Sequence, residues 1–174
     1  LYEPGSVFKV VTGSSALEEK AIDLNSTFTC NGVMTVADWD IHCWTRGAHG
    51  TQDFTTAMTN SCNPAFIQIG QRLGIEKFCQ YFKAYGFTEP TGIDLPGESA
   101  GLYVKEEDMG IVELASSSFG QSNTVTPIQM ITAYAAVVNG GYLLQPHVVS
   151  KIVDNNGNII ETKETTVRRQ VISE

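Results

Sequence analysis

The stretch 3–9, with the sequence EPGSVFK, places a serine and a lysine three residues apart where a turn gives way to a helix. The Pro-Gly pair favours a turn, and apolar residues at helical spacing predict a helix from Ser6 to about Lys20. Residues three apart on a helix share a face, so the hydroxyl of Ser6 and the amine of Lys9 should lie side by side. A serine is a weak nucleophile until a base removes its proton, and a lysine can be that base when burial lowers its pKa. The pair therefore predicts a nucleophile with its base.

A second motif, Ser61-Cys62-Asn63, stands directly before Pro64. An asparagine before a helix and a proline at its first position are both start signals, which makes Asn63 a candidate N-cap. Side chains in such a loop can point into a cleft rather than into the core. A Ser-x-x-Lys spacing also arises by chance, as a capping serine followed by a surface lysine. The two motifs together, in this order, favour an active site over that interpretation.

These motifs resemble those of the transpeptidase domain of class B penicillin-binding proteins. The resemblance covers nearly the whole chain, and it is closest to the sporulation type of the family because of Cys30, the Cys43-Trp44 pair and Cys62. Three further segments carry it: 63–66 (NPAF), 92–98 (GIDLPGE) and 125–130 (VTPIQM).

The resemblance implies a role for each motif residue. Ser6 would be the acylated nucleophile, with its backbone N–H forming half of the oxyanion hole, and Lys9 the general base for acylation. Ser61 would pass a proton to the leaving amine, and Asn63 would bind the acyl-donor peptide through its side-chain amide. The implied reaction cleaves a terminal D-Ala-D-Ala bond of a peptidoglycan stem peptide and transfers the acyl group to a second stem peptide. It needs no cofactor, and β-lactam antibiotics acylate the same serine.

The resemblance also implies a cellular setting. The site would face the extracytoplasmic side of the bacterial cell membrane, with the anchor outside residues 1–174, and cell-division or spore-cortex assembly proteins would be partners. The alternatives are a penicillin-sensing receptor domain, a β-lactamase-like hydrolase on the same scaffold, and a non-catalytic interaction module. Acylation by penicillin separates the interaction module from the others, and turnover of the acyl-enzyme identifies the hydrolase.

The third motif of the family, Lys-Thr-Gly, does not occur in residues 1–174. In the family it lies on a strand of the central sheet. We therefore expect residues 1–174 to form a partial transpeptidase domain of the α+β class, mainly α with small β hairpins, and to lack most of that sheet. Because losing one oxyanion donor typically costs about 10²–10³ in rate, these residues alone should be inactive or nearly so.

Charge and hydropathy argue against a nucleic-acid-binding or membrane-surface protein and against a membrane-spanning segment within residues 1–174. With 11 basic and 19 acidic residues the formal net charge is -8, which disfavours nucleic acid or an anionic membrane surface as the main partner. No apolar run reaches the length of about 18 residues that spans a membrane.

Apolar periodicity and start and stop signals predict the remaining elements. Residues 21–52 should form short strands and loops, and 148–160 a two-strand hairpin. Helices are expected at 53–60, 63–74, 75–85, 106–117 and 126–139, the last of them apolar almost all round and therefore buried.

The cysteines suggest a redox pair. Cys62 lies inside the second motif, and resemblance to the sporulation type motivates the hypothesis that it pairs with Cys43 and that this pair gates activity. A Cys30–Cys43 bridge is the alternative. Cys30, His42, Cys43 and His49 lack the close cysteine pair that is usual in zinc sites, so the sequence predicts no metal site.

Overall fold

The structure, a computed structural model, describes all residues from 1 to 174. It contains six α-helices: α1 (Lys9–Glu18), α2 (Phe54–Thr59), α3 (Asn63–Leu73), α4 (Ile75–Ala84), α5 (Ile111–Ser117) and α6 (Pro127–Val138). Short 3₁₀ helices at Gly5–Phe8 and Glu106–Asp108 precede α1 and α5. Helix α1 packs against α3, α4 and α6, so the segment that follows Ser6 lies at the centre of the helical layer. None of the helices is both long and apolar enough to cross a membrane.

The strands pair as four separate two-stranded antiparallel ladders, without a larger sheet. The eight strands are β1 (Thr27–Cys30), β2 (Val33–Val36), β3 (Trp39–His42), β4 (Gly50–Asp53), β5 (Tyr142–Leu144), β6 (Lys151–Val153), β7 (Ile159–Thr162) and β8 (Val167–Gln170). The ladders are β1 with β4, β2 with β3, β5 with β8, and β6 with β7. The architecture confirms the predicted α+β class.

Local signals begin helices α2 and α6 where the sequence predicts them. The Asp53 side chain accepts a hydrogen bond of 2.7 Å from the backbone N–H of Thr56 and so caps α2. At the start of α6 the side chains of Thr126 and Gln129 form a reciprocal capping box. Gln129 is buried, and its amide also donates to the carbonyl of Glu89 at 2.9 Å, which ties α6 to the loop after α4.

A cluster of aromatic rings joins the segment that carries Ser6 to the core. The ring of Phe8 lies 5.3–6.1 Å from the rings of Phe78, Phe82 and Phe87. Phe8 is 1% exposed and anchors the 3₁₀ helix that carries Ser6. Burying such a ring contributes roughly 1.5–3 kcal/mol, so the position of Ser6 is set by the core and not by its own turn alone.

Away from the candidate site, the structure differs from the predictions in three places. The helix predicted at 106–117 is a 3₁₀ turn followed by an α-helix from Ile111, because residues 109 and 110 are extended. Helix α6 is not buried all round: Ile131 is 60% and Val138 73% exposed, since no other element covers that face. The ladder of β5 and β8 was not predicted, because its strands are 22 residues apart in the chain and neither carries a hairpin signal.

Candidate active site

The turn that carries Ser6 is held in place by the segment around Gly120. Gly5 has a φ of 59°, and its N–H donates to the carbonyl of Gly120 at 2.8 Å. The backbone N–H of Ser122 donates to the Glu3 carboxylate, also at 2.8 Å. These contacts leave Ser6 exposed on a 3₁₀ turn, whereas the prediction placed it on the α-helix itself. In a 3₁₀ helix residues i and i+3 are eclipsed, so Ser6 and Lys9 are brought onto one line.

Lys9 is the centre of the site. Its side chain is buried, and Nζ lies 3.2 Å from Ser6 Oγ, 3.0 Å from Ser61 Oγ, 2.8 Å from Asn63 Oδ1 and 2.7 Å from the Ser61 carbonyl oxygen. An ammonium group has three hydrogens for these four acceptors, and Ser6 Oγ is the most distant. When Nζ is neutral it has a lone pair, which Ser6 can meet by donating its hydroxyl hydrogen. The four residues predicted from the two motifs therefore lie together.

Burial lowers the pKa of Lys9 from 10.5 to about 8, because the charged form loses its hydration. The thiols of Cys62 and Cys43 act in the opposite direction and raise this pKa, but by less. A base that titrates close to neutral pH has a substantial neutral population at the pH at which it must accept a proton. The structure thus supplies the condition that the sequence only postulated for Lys9.

The second motif is shaped by the end of α2. Ser61 has a left-handed backbone with a φ of 49°, and its N–H donates to the carbonyl of Met58 at 3.0 Å. This conformation is uncommon outside glycine, and it turns both the hydroxyl and the carbonyl of Ser61 toward Lys9.

Asn63 does not cap helix α3, in contrast to the prediction. Cys62 occupies the N-cap position, and Asn63 is the first residue of the helix. The side-chain oxygen of Asn63 accepts from Lys9, and its amide donates to the His42 carbonyl at 3.3 Å. The side chain is thus free of capping and spans the gap between the lysine and strand β3.

An open, polar cleft of about 400 Å³ lies in front of these residues. Ser6 and Asn63 line it, together with Asp40 and His42 from strand β3 and Gln121 from the loop after α5. Sequence reasoning missed the last three, because β3 and that loop reach the cleft only through tertiary packing. A cleft with convergent polar groups beside a serine and a buried lysine is suited to acyl transfer.

The cysteines gather behind the second motif. The sulfurs of Cys30, Cys43 and Cys62 and a ring nitrogen of His49 all lie within 4.8 Å of one another, and all the cysteines are free. His42 is not part of this group. Burial raises the pKa of the Cys62 thiol to about 12. The proximity leaves the predicted Cys43–Cys62 pair and the Cys30–Cys43 alternative both open.

Comparisons with known proteins agree with the motifs. A family model described as the penicillin binding protein transpeptidase domain matches residues 1–174. Stage V sporulation protein D of Bacillus subtilis is 42% identical over 175 residues, which cover 99% of this chain and 27% of the relative. The solved D,D-transpeptidase domain of a peptidoglycan glycosyltransferase from Eggerthella lenta has a TM-score of 0.88 at 26% identity, covering 99% of this chain and 45% of that one.

A solved structure of penicillin-binding protein 3 from Mycobacterium tuberculosis, complexed with aztreonam, has a TM-score of 0.85 at 27% identity and covers 99% of this chain and 38% of that chain. The chain thus spans only about a quarter of the length of the first curated relatives, with shares of 27%, 25% and 24%. The match along all of its own length confirms the family predicted from the two motifs. The chain belongs to the penicillin-binding protein transpeptidase family.

Proposed function

We propose that residues 1–174 are part of a peptidoglycan D,D-transpeptidase domain in which Ser6 forms the acyl-enzyme. The observation that carries this proposal is the position of Lys9 Nζ, which is within 3.2 Å of the hydroxyls of both Ser6 and Ser61 and of the side chain of Asn63. One buried amine therefore contacts the nucleophile, the proton carrier and the substrate-binding amide. A curated relative from Mesostigma viride, named as a peptidoglycan D,D-transpeptidase homologue, supports the reaction class at 31% identity.

The first half of the reaction forms an ester. Ser6 Oγ attacks the carbonyl carbon of the penultimate D-Ala of a stem peptide, and its proton passes to the neutral amine of Lys9. Ser61 donates its hydroxyl proton to the departing nitrogen of the terminal D-Ala and is reprotonated from Lys9. The C–N bond breaks and free D-Ala leaves. The leaving amine carries the former Ser61 proton, Ser61 is restored by a proton from Lys9, and the net change is one proton moved from Ser6 to the leaving amine.

The second half transfers the acyl group. An amine of a second stem peptide attacks the ester, the Ser6 C–O bond breaks, and the proton of the amine returns to Ser6 through the same side chains in reverse. Asn63 holds the acyl-donor peptide through its amide, for which its place at the cleft wall is suited. β-Lactams acylate Ser6 by the same first step, and the aztreonam complex of the mycobacterial relative supports this class of ligand.

Residues 1–174 on their own should not catalyse the reaction, because they contain no Lys-Thr-Gly motif. In the family that motif adds an oxyanion donor and a cation for the substrate carboxylate. The chain would then be a partial domain whose chemistry is completed by the rest of the protein. Stoichiometric labelling of Ser6 by a fluorescent penicillin in the isolated 174-residue chain would refute this expectation.

The decisive test uses the complete protein that carries residues 1–174. Labelled penicillin should attach to Ser6, and Ser6→Ala should abolish labelling, since Ser61, the other hydroxyl beside Lys9, does not line the cleft. Ser99→Ala, which changes an exposed serine in the loop after α4, should label normally. Label on the protein after Ser6→Ala, at the wild-type level, contradicts the proposal. Rapid loss of the label by hydrolysis would favour the β-lactamase-like alternative. A stable label on a protein that does not cross-link stem peptides would favour the penicillin-sensing receptor domain.

The cellular setting is a further part of the proposal. We place the site at the extracytoplasmic face of the cell membrane, in contact with cell-division or spore-cortex assembly proteins. The 42% identity to a sporulation protein favours the spore cortex. Loss of cortex cross-links, with unchanged vegetative cell walls, is the expected phenotype of Ser6→Ala in the producing organism.

We also propose that Cys43 and Cys62 form a redox pair that gates this site. Their sulfurs lie within 4.8 Å of each other, and Cys62 stands between Ser61 and Asn63. Oxidation would remove two protons and two electrons, taken up by a disulfide such as oxidised glutathione, and would pull Cys62 toward the strands. Mass mapping of the oxidised protein should find this bridge, and a Cys30–Cys43 bridge in its place contradicts the proposal.

A further inference from the structure

The cluster of Cys30, Cys43, His49 and Cys62 is more than a pair of thiols. Four side chains from separate parts of the chain converge: the end of β1, the residue after β3, the residue before β4 and the N-cap of α3. The three cysteines are at most 6% exposed. A disulfide uses two sulfurs, which leaves the third sulfur and the imidazole without a role.

We propose that these four side chains bind one Zn²⁺ ion. Zinc in structural sites takes four Cys and His ligands in a tetrahedron, with Zn–S distances of about 2.3 Å and Zn–N of about 2.0–2.1 Å. Such a tetrahedron has edges of about 3.8 Å between two sulfurs and about 3.6 Å between sulfur and nitrogen. Cys43 Sγ and His49 Nδ1 are already 3.5 Å apart, and no pair of ligand atoms exceeds 4.8 Å. Shifts of about one ångström close the site.

The surroundings suit thiolates bound to a cation. The backbone N–H groups of Gly32 and His49 donate hydrogen bonds to the Cys30 sulfur, and such donors stabilise the negative charge of a metal-bound thiolate. Three thiolates and a neutral imidazole around Zn²⁺ carry a net charge of −1, and the Lys9 amine, which interacts electrostatically with Cys62 and Cys43, lies on that side. Binding releases the three thiol protons to solvent and involves no change in oxidation state.

The metal would hold the second motif in place. Cys62 stands between Ser61 and Asn63, so a bond from its sulfur to zinc fixes the loop that carries both side chains against β1 and the β3–β4 connection. All four positions of the ion are filled by protein, so the site is structural and leaves the acyl chemistry to Ser6 and Lys9. A Cys43–Cys62 disulfide removes two ligands, so the zinc-bound and oxidised states exclude each other.

Cobalt replaces zinc as the probe, because Co²⁺ bound to thiolates shows a near-ultraviolet charge-transfer band that grows with the number of sulfur ligands. The complete protein that carries residues 1–174, reduced and free of metal, should bind one equivalent of Co²⁺ with the band of three thiolates. One equivalent of Zn²⁺ should displace it. Because the thiols are buried with or without metal, protection from alkylation would not distinguish the two states, whereas this band does.

Variants assign the ligands. Cys30→Ser should weaken Zn²⁺ binding by at least about 10–100-fold, the loss that follows when only a hydrogen-bond partner of a ligand is removed, and it should remove one thiolate from the band. His49→Ala, in a half-buried loop position, gives the same loss of affinity with all three thiolates retained, and serves if Cys30→Ser does not fold. Cys79→Ser and His42→Ala are the matched controls and should bind like the wild type. A reduced wild-type protein that binds no Co²⁺, or binds it without the thiolate band, overturns the proposal, as does an equal loss in Cys79→Ser. These readouts do not involve acylation, so they stand apart from the proposed transpeptidase activity.

Discussion

The protonation of Lys9 should set the rate at which Ser6 is acylated, and the burial of Lys9 sets the pH at which this happens. With its pKa lowered from 10.5 to about 8, about one Lys9 side chain in ten is neutral at pH 7. An exposed lysine would be neutral in about three molecules in ten thousand. Burial therefore raises the population of the active base roughly 300-fold, equivalent to about 3 kcal/mol.

The expected pH profile follows from the sign of this shift. In the proposed mechanism Lys9 acts in its neutral form, so the second-order rate constant for acylation should rise about tenfold for each pH unit below 8 and level off above it. The titratable groups that interact with Lys9 are the thiols of Cys62 and Cys43. Both raise the pKa of Lys9, so their replacement should move the midpoint of the profile to lower pH. The assay is stopped-flow labelling with a fluorescent penicillin, in the complete protein that carries this chain.

Two variants complete the test. Lys9→Arg keeps a cation that does not lose its proton below pH 12, so the rate should fall by about 10²–10⁴ and the rise toward pH 8 should disappear. Lys151→Met, which removes a lysine from the exposed strand β6, should leave the profile unchanged. A wild-type rate that does not vary with pH, or a midpoint near 8 that survives in Lys9→Arg, would refute the reasoning.

Two further predictions concern the frame of the site. Gly120 has a φ of 87°, and a Cβ there would collide with the carbonyl of Gly5, so Gly120→Ala should displace the turn that carries Ser6 and slow acylation about 100-fold. Gly97 has a similar φ of 80° but open space around it, so Gly97→Ala should not slow acylation. Rates of penicillin labelling measure both variants, and equal rates contradict the role of Gly120. Gln129→Leu should lower the free energy of unfolding by about 1–3 kcal/mol, because the backbone N–H of Thr126 and the carbonyl of Glu89 lose their hydrogen-bond partner. Gln71→Leu, on the exposed face of α3, should change the free energy of unfolding little. Urea denaturation gives both values, and a similar loss in the two variants contradicts the structural role of the Gln129 hydrogen bonds.

Sequence alone determined what depends on neighbours along the chain. The Ser6–Lys9 spacing, the cap at Asp53 and the Thr126-Pro127 start are local signals, since a turn or a helix end is made within four residues. They were sufficient for the α+β class and, through the resemblance, for the family. Asn63 shows the limit of such signals. The sequence predicted it as the N-cap of α3, but Cys62 occupies that position and the Asn63 side chain accepts a hydrogen bond from Lys9 instead.

Only the tertiary structure decided what depends on distant segments. The contact of Lys9 with Ser61 joins residues 52 positions apart, and the pKa of Lys9 follows from the burial that this packing creates. Cys30 and His49 lie close together because β1 pairs with β4 and sets Cys30 opposite Gly50. The spacing of these residues along the chain does not predict this pairing. Burial and long-range pairing are properties of the whole packed chain, because many weak contacts jointly fix which segments become neighbours.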